Sequence, residues 1–166
     1  MYRITSVLEV FLVHPGGPFF RKKDKGWWTI PKGLSEIHEE LLATAKREFE
    51  EETGIKSTEP YYDLGEVKQK GGKWVRAWAF SGSWREEDGI SCNTFTLEWP
   101  PKSGKTAEFP EVDKAKWFTI EEARTHINEA QAQFIDRLQV ILDQGFKIYD
   151  IRLILYTNYQ LPTTNY

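Results

Sequence analysis

Three glutamates with helical spacing are the residues of this sequence whose types and positions most directly suggest chemistry. Glu48 is followed after three and four residues by Glu51 and Glu52, and residues so spaced are neighbours on a helix, with Cβ atoms about 5–6 Å apart. Ionised carboxylates that close repel one another. A hard divalent cation such as Mg²⁺ reverses the effect because it prefers oxygen ligands, and it can activate water for attack on phosphorus. The spacing therefore indicates either a metal site for phosphoryl chemistry or a solvated charged face.

The glutamates need a helix to hold them, and the sequence predicts one over about residues 37–53. Leu42, Ala45 and Phe49 recur three and four residues apart, so they form an apolar stripe on one face while the glutamates occupy another. Gly54 follows at the place where a left-handed residue commonly ends a helix.

Residues 33–55 also fit a longer pattern, G-x5-E-x7-R-E-U-x-E-E-x-G-U, in which U is a bulky aliphatic or aromatic residue. This pattern resembles the Nudix box, in the loop–helix–loop arrangement that the family requires. All nine specified positions are matched, and they are Gly33, Glu39, Arg47, Glu48, Phe49, Glu51, Glu52, Gly54 and Ile55.

The resemblance implies a Nudix fold, with a mixed β-sheet sandwiched between helices, and a role for each matched charge. Glu48, Glu51 and Glu52 are expected to bind divalent cations, Mg²⁺ or Mn²⁺, together with the backbone carbonyl of Lys32. Glu51 is also expected to be catalytic, and Arg47 to orient the catalytic glutamates.

The loop before the helix matches the family with one departure. Glu39 is expected to brace the loop and helix through a salt bridge to Arg47. Many family members carry glycine just before this glutamate, whereas this sequence has His38. We therefore expect a stiffer loop with no ligand lost.

Residues 27–33 resemble the W-x-x-P-K-G motif of diadenosine polyphosphate hydrolases. Lys32 could neutralise a phosphate oxygen as a point charge. One tryptophan, expected to be Trp28, could stack on a base, while at least one of Trp27 and Trp28 is expected in the core. The basic loop at residues 21–25 suits a polyphosphate, but it also suits plain solvent.

A further carboxylate outside the box often acts as general base or extra metal ligand in related hydrolases. Glu98, Glu108 and Glu111 are the candidates. Glu111 lies a few residues before Trp117, where those hydrolases often place such a glutamate, so Glu111 is the predicted catalytic residue.

The remaining pattern predicts an α/β (α+β) domain at residues 1–145. Residues 146–166 are predicted to be an extension packed on the domain or at a subunit interface, with residues 149–159 as a possible strand. Strands are predicted at 3–14, 61–70, 73–81, 94–99 and 115–118, a loop at 101–110, a short helix after Thr119, and a helix around 134–142 that ends at Gly145.

Composition limits the class of protein. The chain has 166 residues, one cysteine and a net charge of −3, which predicts a cytoplasmic protein that binds neither membrane nor double-stranded DNA. The partner is expected to be a small-molecule nucleotide, and the protein a monomer or homodimer.

The predicted function is metal-dependent hydrolysis of a nucleoside diphosphate linked to another moiety, as in a dinucleoside polyphosphate or a nucleoside triphosphate. The alternative is a non-catalytic Nudix-fold nucleotide sensor, although such proteins typically lose box glutamates. Isomerisation of an isoprenoid diphosphate would normally need cysteine and histidine residues that this chain largely lacks.

Overall fold

The computed structural model describes the backbone of residues 1–157 and the side chains of residues 1–145. Short 3₁₀ turns lie at Glu86–Asp88 and Glu129–Gln131. The longer elements within the described residues are β1 (Tyr2–Ile4), β2 (Leu8–Pro15), α1 (Leu41–Thr53), β3 (Tyr62–Lys68), β4 (Trp74–Ala79), β5 (Thr94–Glu98), β6 (Thr106–Pro110), β7 (Val112–Thr119), α2 (Ile120–His126) and α3 (Ala132–Thr157).

Within the described residues the strands form three antiparallel sheets. Strand β2 pairs with β1 on one side and β7 on the other, while β3–β4 and β5–β6 are hairpins. Tyr2 makes a parallel bridge to Ser81, just after β4, and its N–H donates to the carbonyl of Phe80 over 2.9 Å. The predicted α/β class is confirmed, but the sheets are antiparallel, and the parallel pairing expected of a mixed sheet is confined to isolated bridges.

Strand β2 divides the core into two clusters because successive side chains point to opposite faces of a sheet. Val10 and Leu12 pack with apolar residues of α2 and α3, whereas Phe11 and Val13 pack with Phe49 of α1. The sheet therefore lies between α1 on one face and the other two helices on the opposite face.

Helix α1 ends where the sequence predicted but begins later. Gly54 ends it in the left-handed conformation, with φ of 73°, and at the other end the Glu40 carboxylate accepts the N–H of Ala43. The predicted start near residue 37 is wrong because His38 has φ of 68°, which a right-handed helix cannot include.

Residues 94–110 form a projecting hairpin, which we call the arm. The sequence predicted its first strand, but the predicted loop over 101–110 is wrong for its second half. Strand β6 pairs with β5 along its whole length, from Glu98 opposite Thr106 to Thr94 opposite Pro110. The proline and glycine signals that suggested a loop belong to the turn at residues 99–105 and to the end of β6.

Two further strand predictions compare differently with the structure. The predicted hairpin around Gly71 and Gly72 is confirmed as β3–β4. The predicted single strand at residues 3–14 is instead β1 and β2, separated by a turn in which the Thr5 N–H donates to the carbonyl of Val7.

Helix α3 continues beyond its predicted end. Gly145 lies inside the helix, which runs to Thr157, since a glycine in a helix costs only about 1 kcal/mol relative to alanine and does not by itself stop it. The strand predicted at residues 149–159 is therefore wrong as far as residue 157, and residues 158–166 lie outside the described part. Within residues 1–157, no helix combines the length and apolarity needed to cross a membrane.

Candidate active site

Arg47 connects the loop before α1 with the glutamates on the helix. Its guanidinium donates to both carboxylate oxygens of Glu39, over 2.9 Å each, and to the carbonyl of Leu34 over 3.1 Å. The same guanidinium donates to Glu48 over 2.8 Å and to Glu51 over 3.1 Å. The predicted salt bridge between Glu39 and Arg47 is confirmed, and Arg47 orients two of the predicted ligands.

Arg47 and Glu39 each stabilise the charged form of the other. Hydrogen bonds from Arg47 and from the backbone N–H of Glu36 lower the pKa of Glu39 to about 2. Hydrogen bonds to Glu39 and Glu48 raise the pKa of Arg47. Both groups therefore stay charged at neutral pH.

His38 occupies a backbone conformation that glycine adopts more easily. Its φ of 68° lies in the left-handed region, where a side chain other than glycine's costs on the order of 1 kcal/mol. Immediately after it, the Glu39 carboxylate accepts the N–H of Glu36 over 3.0 Å and so closes a tight turn. The departure from the family pattern thus places a strained residue beside the brace.

Gly33 is glycine because Glu48 occupies the space of a side chain. A Cβ built on Gly33 would lie 1.7 Å from the Oε2 atom of Glu48. With any other residue at this position the Glu48 carboxylate would have to move. The first specified position of the box pattern therefore affects where a predicted ligand lies.

Glu52 lies beside the same loop and is partly buried. Its carboxylate accepts the backbone N–H of Lys32 over 3.0 Å. Burial raises the pKa of Glu52 to about 7, and the Glu48 and Glu111 carboxylates add to that rise, whereas Lys32 opposes it. The main cause is therefore the loss of water around the carboxylate.

Glu111 is the only one of the three predicted extra carboxylates that lies next to the box, as its effect on the pKa of Glu52 shows. Glu98 accepts the N–H of Gly104, and Glu108 accepts the hydroxyl of Thr94, so both serve the arm itself. Glu111 is exposed between β6 and β7.

Trp28 is not positioned to stack on a base, so its predicted role is wrong. Its side chain is 5% exposed, its ring contacts those of His14 and Phe118, and its indole N–H donates to Asp24. Trp27 is 41% exposed and has the ammonium of Lys23 4.7 Å from its ring centroid. The prediction that one tryptophan of the pair is core is confirmed.

The donors around the box fit a divalent cation chemically. Carboxylate and carbonyl oxygens are the ligands that Mg²⁺ and Mn²⁺ prefer, and a cation would stabilise the ionised form of Glu52, which burial disfavours. In residues 1–145, however, no three acidic side chains converge closely enough to hold a metal. Arg47 engages Glu48 and Glu51 while Glu52 turns to Lys32, so rotation of these side chains would be needed.

Sequence reasoning missed the residues that hold Glu111 in place. Its N–H donates to the carbonyl of Asn93, and its carbonyl accepts the N–H of Gly16, each over 2.9 Å. These residues are far apart in the chain, and the glycine signalled only a turn. Pairing of distant strands, which one sequence does not reveal, brings them together.

The fold is shared with a solved enzyme. A Caenorhabditis elegans (C. elegans) Ap4A hydrolase, solved as a binary complex, superposes with a TM-score of 0.59 at 18% sequence identity, over 86% of this chain and 94% of that chain. At this identity the likeness shows the fold alone. No curated protein matches this chain in sequence.

The fold and the glutamate-bearing helix define the class of Nudix hydrolases. Residues 6–138 match the NUDIX domain, and the chain belongs to that family. It is a pyrophosphohydrolase.

Proposed function

We propose that the protein uses Mg²⁺ or Mn²⁺ to hydrolyse a phosphoanhydride bond in a nucleoside diphosphate linked to another moiety. Dinucleoside polyphosphates and nucleoside triphosphates are the proposed substrates. The observation that carries the proposal is the geometry of the matched NUDIX segment, in which Arg47 donates to Glu39 and also to Glu48 and Glu51 on one face of α1. Carboxylate oxygens gathered on one helix suit the binding of a cation that carries a polyphosphate.

The box supplies the proposed metal ligands. Glu48, Glu51 and Glu52 would hold the cation with the backbone carbonyl of Lys32. A bound cation of this kind supplies Lewis-acid polarisation of phosphate oxygens and a more acidic water. Arg47 keeps Glu48 and Glu51 on the same side of α1 through the hydrogen bonds described above, and both carboxylates would rotate from that position to bind the cation.

The chain's other groups would handle the proton and the phosphates. Glu51, with a side chain 40% exposed, is the most accessible of the three glutamates paired with Arg47, and we assign it to catalysis. Glu111 would accept the proton of the attacking water at a carboxylate oxygen. The Lys32 ammonium would neutralise a phosphate oxygen of the substrate.

Trp27 replaces Trp28 in the proposed binding of the base. Its ring is exposed, and it lies five residues before Lys32 in the chain, within about 18 Å even if that segment is fully extended. The neighbouring cations at residues 21–25 complement the negative charge of a polyphosphate.

The test is a product-resolved hydrolysis screen with Mg²⁺. Its panel holds diadenosine tetraphosphate, nucleoside triphosphates, ADP-ribose and 5′-triphosphorylated RNA. Glu51→Gln is compared with Glu50→Gln, which changes an exposed glutamate on the same helix. We expect Glu51→Gln to lower kcat by about 100-fold or more and Glu50→Gln to match the wild type.

Two outcomes would contradict the proposal. Equal hydrolysis by the wild type and Glu51→Gln would remove the assigned role of Glu51. Saturable nucleotide binding without turnover of any substrate would instead support a nucleotide sensor.

A further inference from the structure

Glu111 is tied to the box and to the loop after β2 by a series of backbone hydrogen bonds. The Asn93 N–H donates to the carbonyl of Glu51 over 3.3 Å. The Glu111 N–H donates to the carbonyl of Asn93, and the Gly16 N–H donates to the carbonyl of Glu111, each over 2.9 Å. The backbone of Glu111 is therefore held from both sides, and Asn93 connects it to the end of the box helix.

A β-bulge lies immediately beyond Glu111. His14 pairs with Lys114 and Pro15 pairs with Val112, so Asp113 is left without a partner in the strand ladder. Bulges re-aim the residues next to them, and they recur beside active sites.

A buried histidine holds this bulge in place. The Nδ1 atom of His14 lies 2.6 Å from the Asp113 carboxylate, and its Nε2 donates to the carbonyl of Lys23 over 2.9 Å. The His14 side chain is 0% exposed. The bulge is therefore tied to a buried side chain.

Gly16, in the loop after β2, lies against the backbone at the end of β6. A Cβ on Gly16 would lie 2.0 Å from the carbonyl oxygen of Pro110 and 3.4 Å from the carbonyl carbon of Glu111. Real Cβ atoms do not come so near to backbone oxygen, so a methyl group here must displace the Pro110–Glu111 backbone. The conformation of Gly16 is otherwise open to any residue, because its φ lies outside the left-handed range.

We propose that Gly16, with the bulge at Asp113, is a positioning residue that sets the Glu111 carboxylate beside Glu52. This inference rests on the role proposed above for Glu111. Gly16 touches neither substrate nor metal in this scheme. It acts through the placement of one backbone segment, and a misplacement of about 1 Å at a reacting group can cost about 100-fold in rate.

The test is a double-mutant cycle between Gly16→Ala and Glu111→Gln, with kcat and KM measured on the best substrate of the screen. We expect Glu111→Gln to lower kcat by about 100-fold or more and Gly16→Ala by about 10- to 100-fold with little change in KM. The double variant should be no slower than Glu111→Gln alone, because residues that act as one unit are not additive. Gly71→Ala is the matched control, since that glycine has no atom within 4 Å of a Cβ and an ordinary φ.

Amide hydrogen exchange supplies a readout independent of turnover. Gly16→Ala should speed exchange of the Glu111 N–H, whereas Gly71→Ala should not. If Gly16→Ala does not fold, Asp113→Ala tests the same placement through the bulge, with Asp136→Ala, which breaks a surface ion pair to Arg124, as its control.

The outcomes separate the inference from the proposed role of Glu111. The positioning role of Gly16 would be overturned if the rate losses of the two substitutions multiply in the double variant, or if Gly16→Ala has the wild-type kcat. Neither outcome would change the role proposed for Glu111. Wild-type kcat for Glu111→Gln would overturn both. If Gly16→Ala speeds exchange of the Glu111 N–H but leaves kcat unchanged, the position of the Glu111 backbone does not affect catalysis, and the inference is likewise overturned.

Discussion

Arg47 and Glu39 are joined by two parallel hydrogen bonds of 2.9 Å, so that the guanidinium faces both carboxylate oxygens at once. Such a bidentate pair fixes orientation as well as distance. The remaining donors of Arg47 then point to Glu48 and Glu51. The brace in the loop thus determines where the helix glutamates are held.

Replacing Glu39 with Gln should lower activity without removing a metal ligand. The neutral amide cannot accept both guanidinium donors, so Arg47 loses its fixed orientation. Loss of an outer partner of this kind typically costs about 10- to 100-fold in activity or metal affinity, and we expect a fall in kcat in that range. Steady-state kinetics at several Mg²⁺ concentrations measures it, with Glu36→Gln as control because the Glu36 side chain is exposed in the same loop. Equal effects of the two substitutions would argue against the brace.

The stability of the metal-free protein should fall as pH rises from about 5 to 7. Burial raises the pKa of Glu52 in the folded protein to about 7, from an ordinary value of 4.5, so the folded state binds this proton more tightly than the unfolded chain. Between these two pH values the unfolded chain is already ionised, and each rise in pH therefore lowers the free energy of unfolding. The loss is on the order of 2–3 kcal/mol.

Urea unfolding in a chelator at several pH values measures this slope, with Glu52→Gln as the variant that should lack it. Saturating Mg²⁺ should oppose the decline, because the ligand must be ionised to bind metal. A slope unchanged by Glu52→Gln would assign it to another group.

Removing the indole of Trp27 should weaken substrate binding and leave the chemical step nearly intact. Stacking of a base on an aromatic side chain is worth about 1–3 kcal/mol, so Trp27→Ala should raise KM for nucleotides by about tenfold, and Trp27→Phe by less. Trp74→Ala is the matched control, since Trp74 is also exposed, with the ammonium of Lys68 5.7 Å from its ring centroid, but lies on β4. If both alanine variants have the same KM, Trp27 does not bind the base.

The sequence predicted the parts of the site that lie within one short segment. The box helix, its glutamates, Gly54 and the Arg47–Glu39 pair follow from local spacing, because helix geometry fixes which neighbours meet. Spacing could not decide which face of the short segment at Trp27 and Trp28 is buried. That choice depends on Phe118, which comes from a strand far along the chain.

The errors also have local physical reasons. Strand β6 is only five residues long and ends in proline, so its own pattern is weaker than the turn signals around it, and pairing with β5 decides its conformation. The sequence predicted a helix end at Gly145 because glycine is common at helix ends, but the helix continues through this residue. Glu111 could be favoured by its position before Trp117, but the backbone contacts that hold it come from residues 93 and 16.

The hydrogen bonds of the last carbonyls of helix α1 determine where the chain can accept insertions and deletions. The final turn of a helix leaves carbonyls without partners in the helix. Here the carbonyl of Thr53 accepts the N–H of Ser91, and that of Glu51 accepts the N–H of Asn93, just before the arm. A deletion at residues 91–93 would leave these carbonyls without partners, whereas a Cβ built on Gly104, in the turn of the arm, would have no atom within 4 Å. We therefore expect insertions and deletions to be tolerated near Gly104. The length of the segment between helix α1 and residues 91–93 should be fixed.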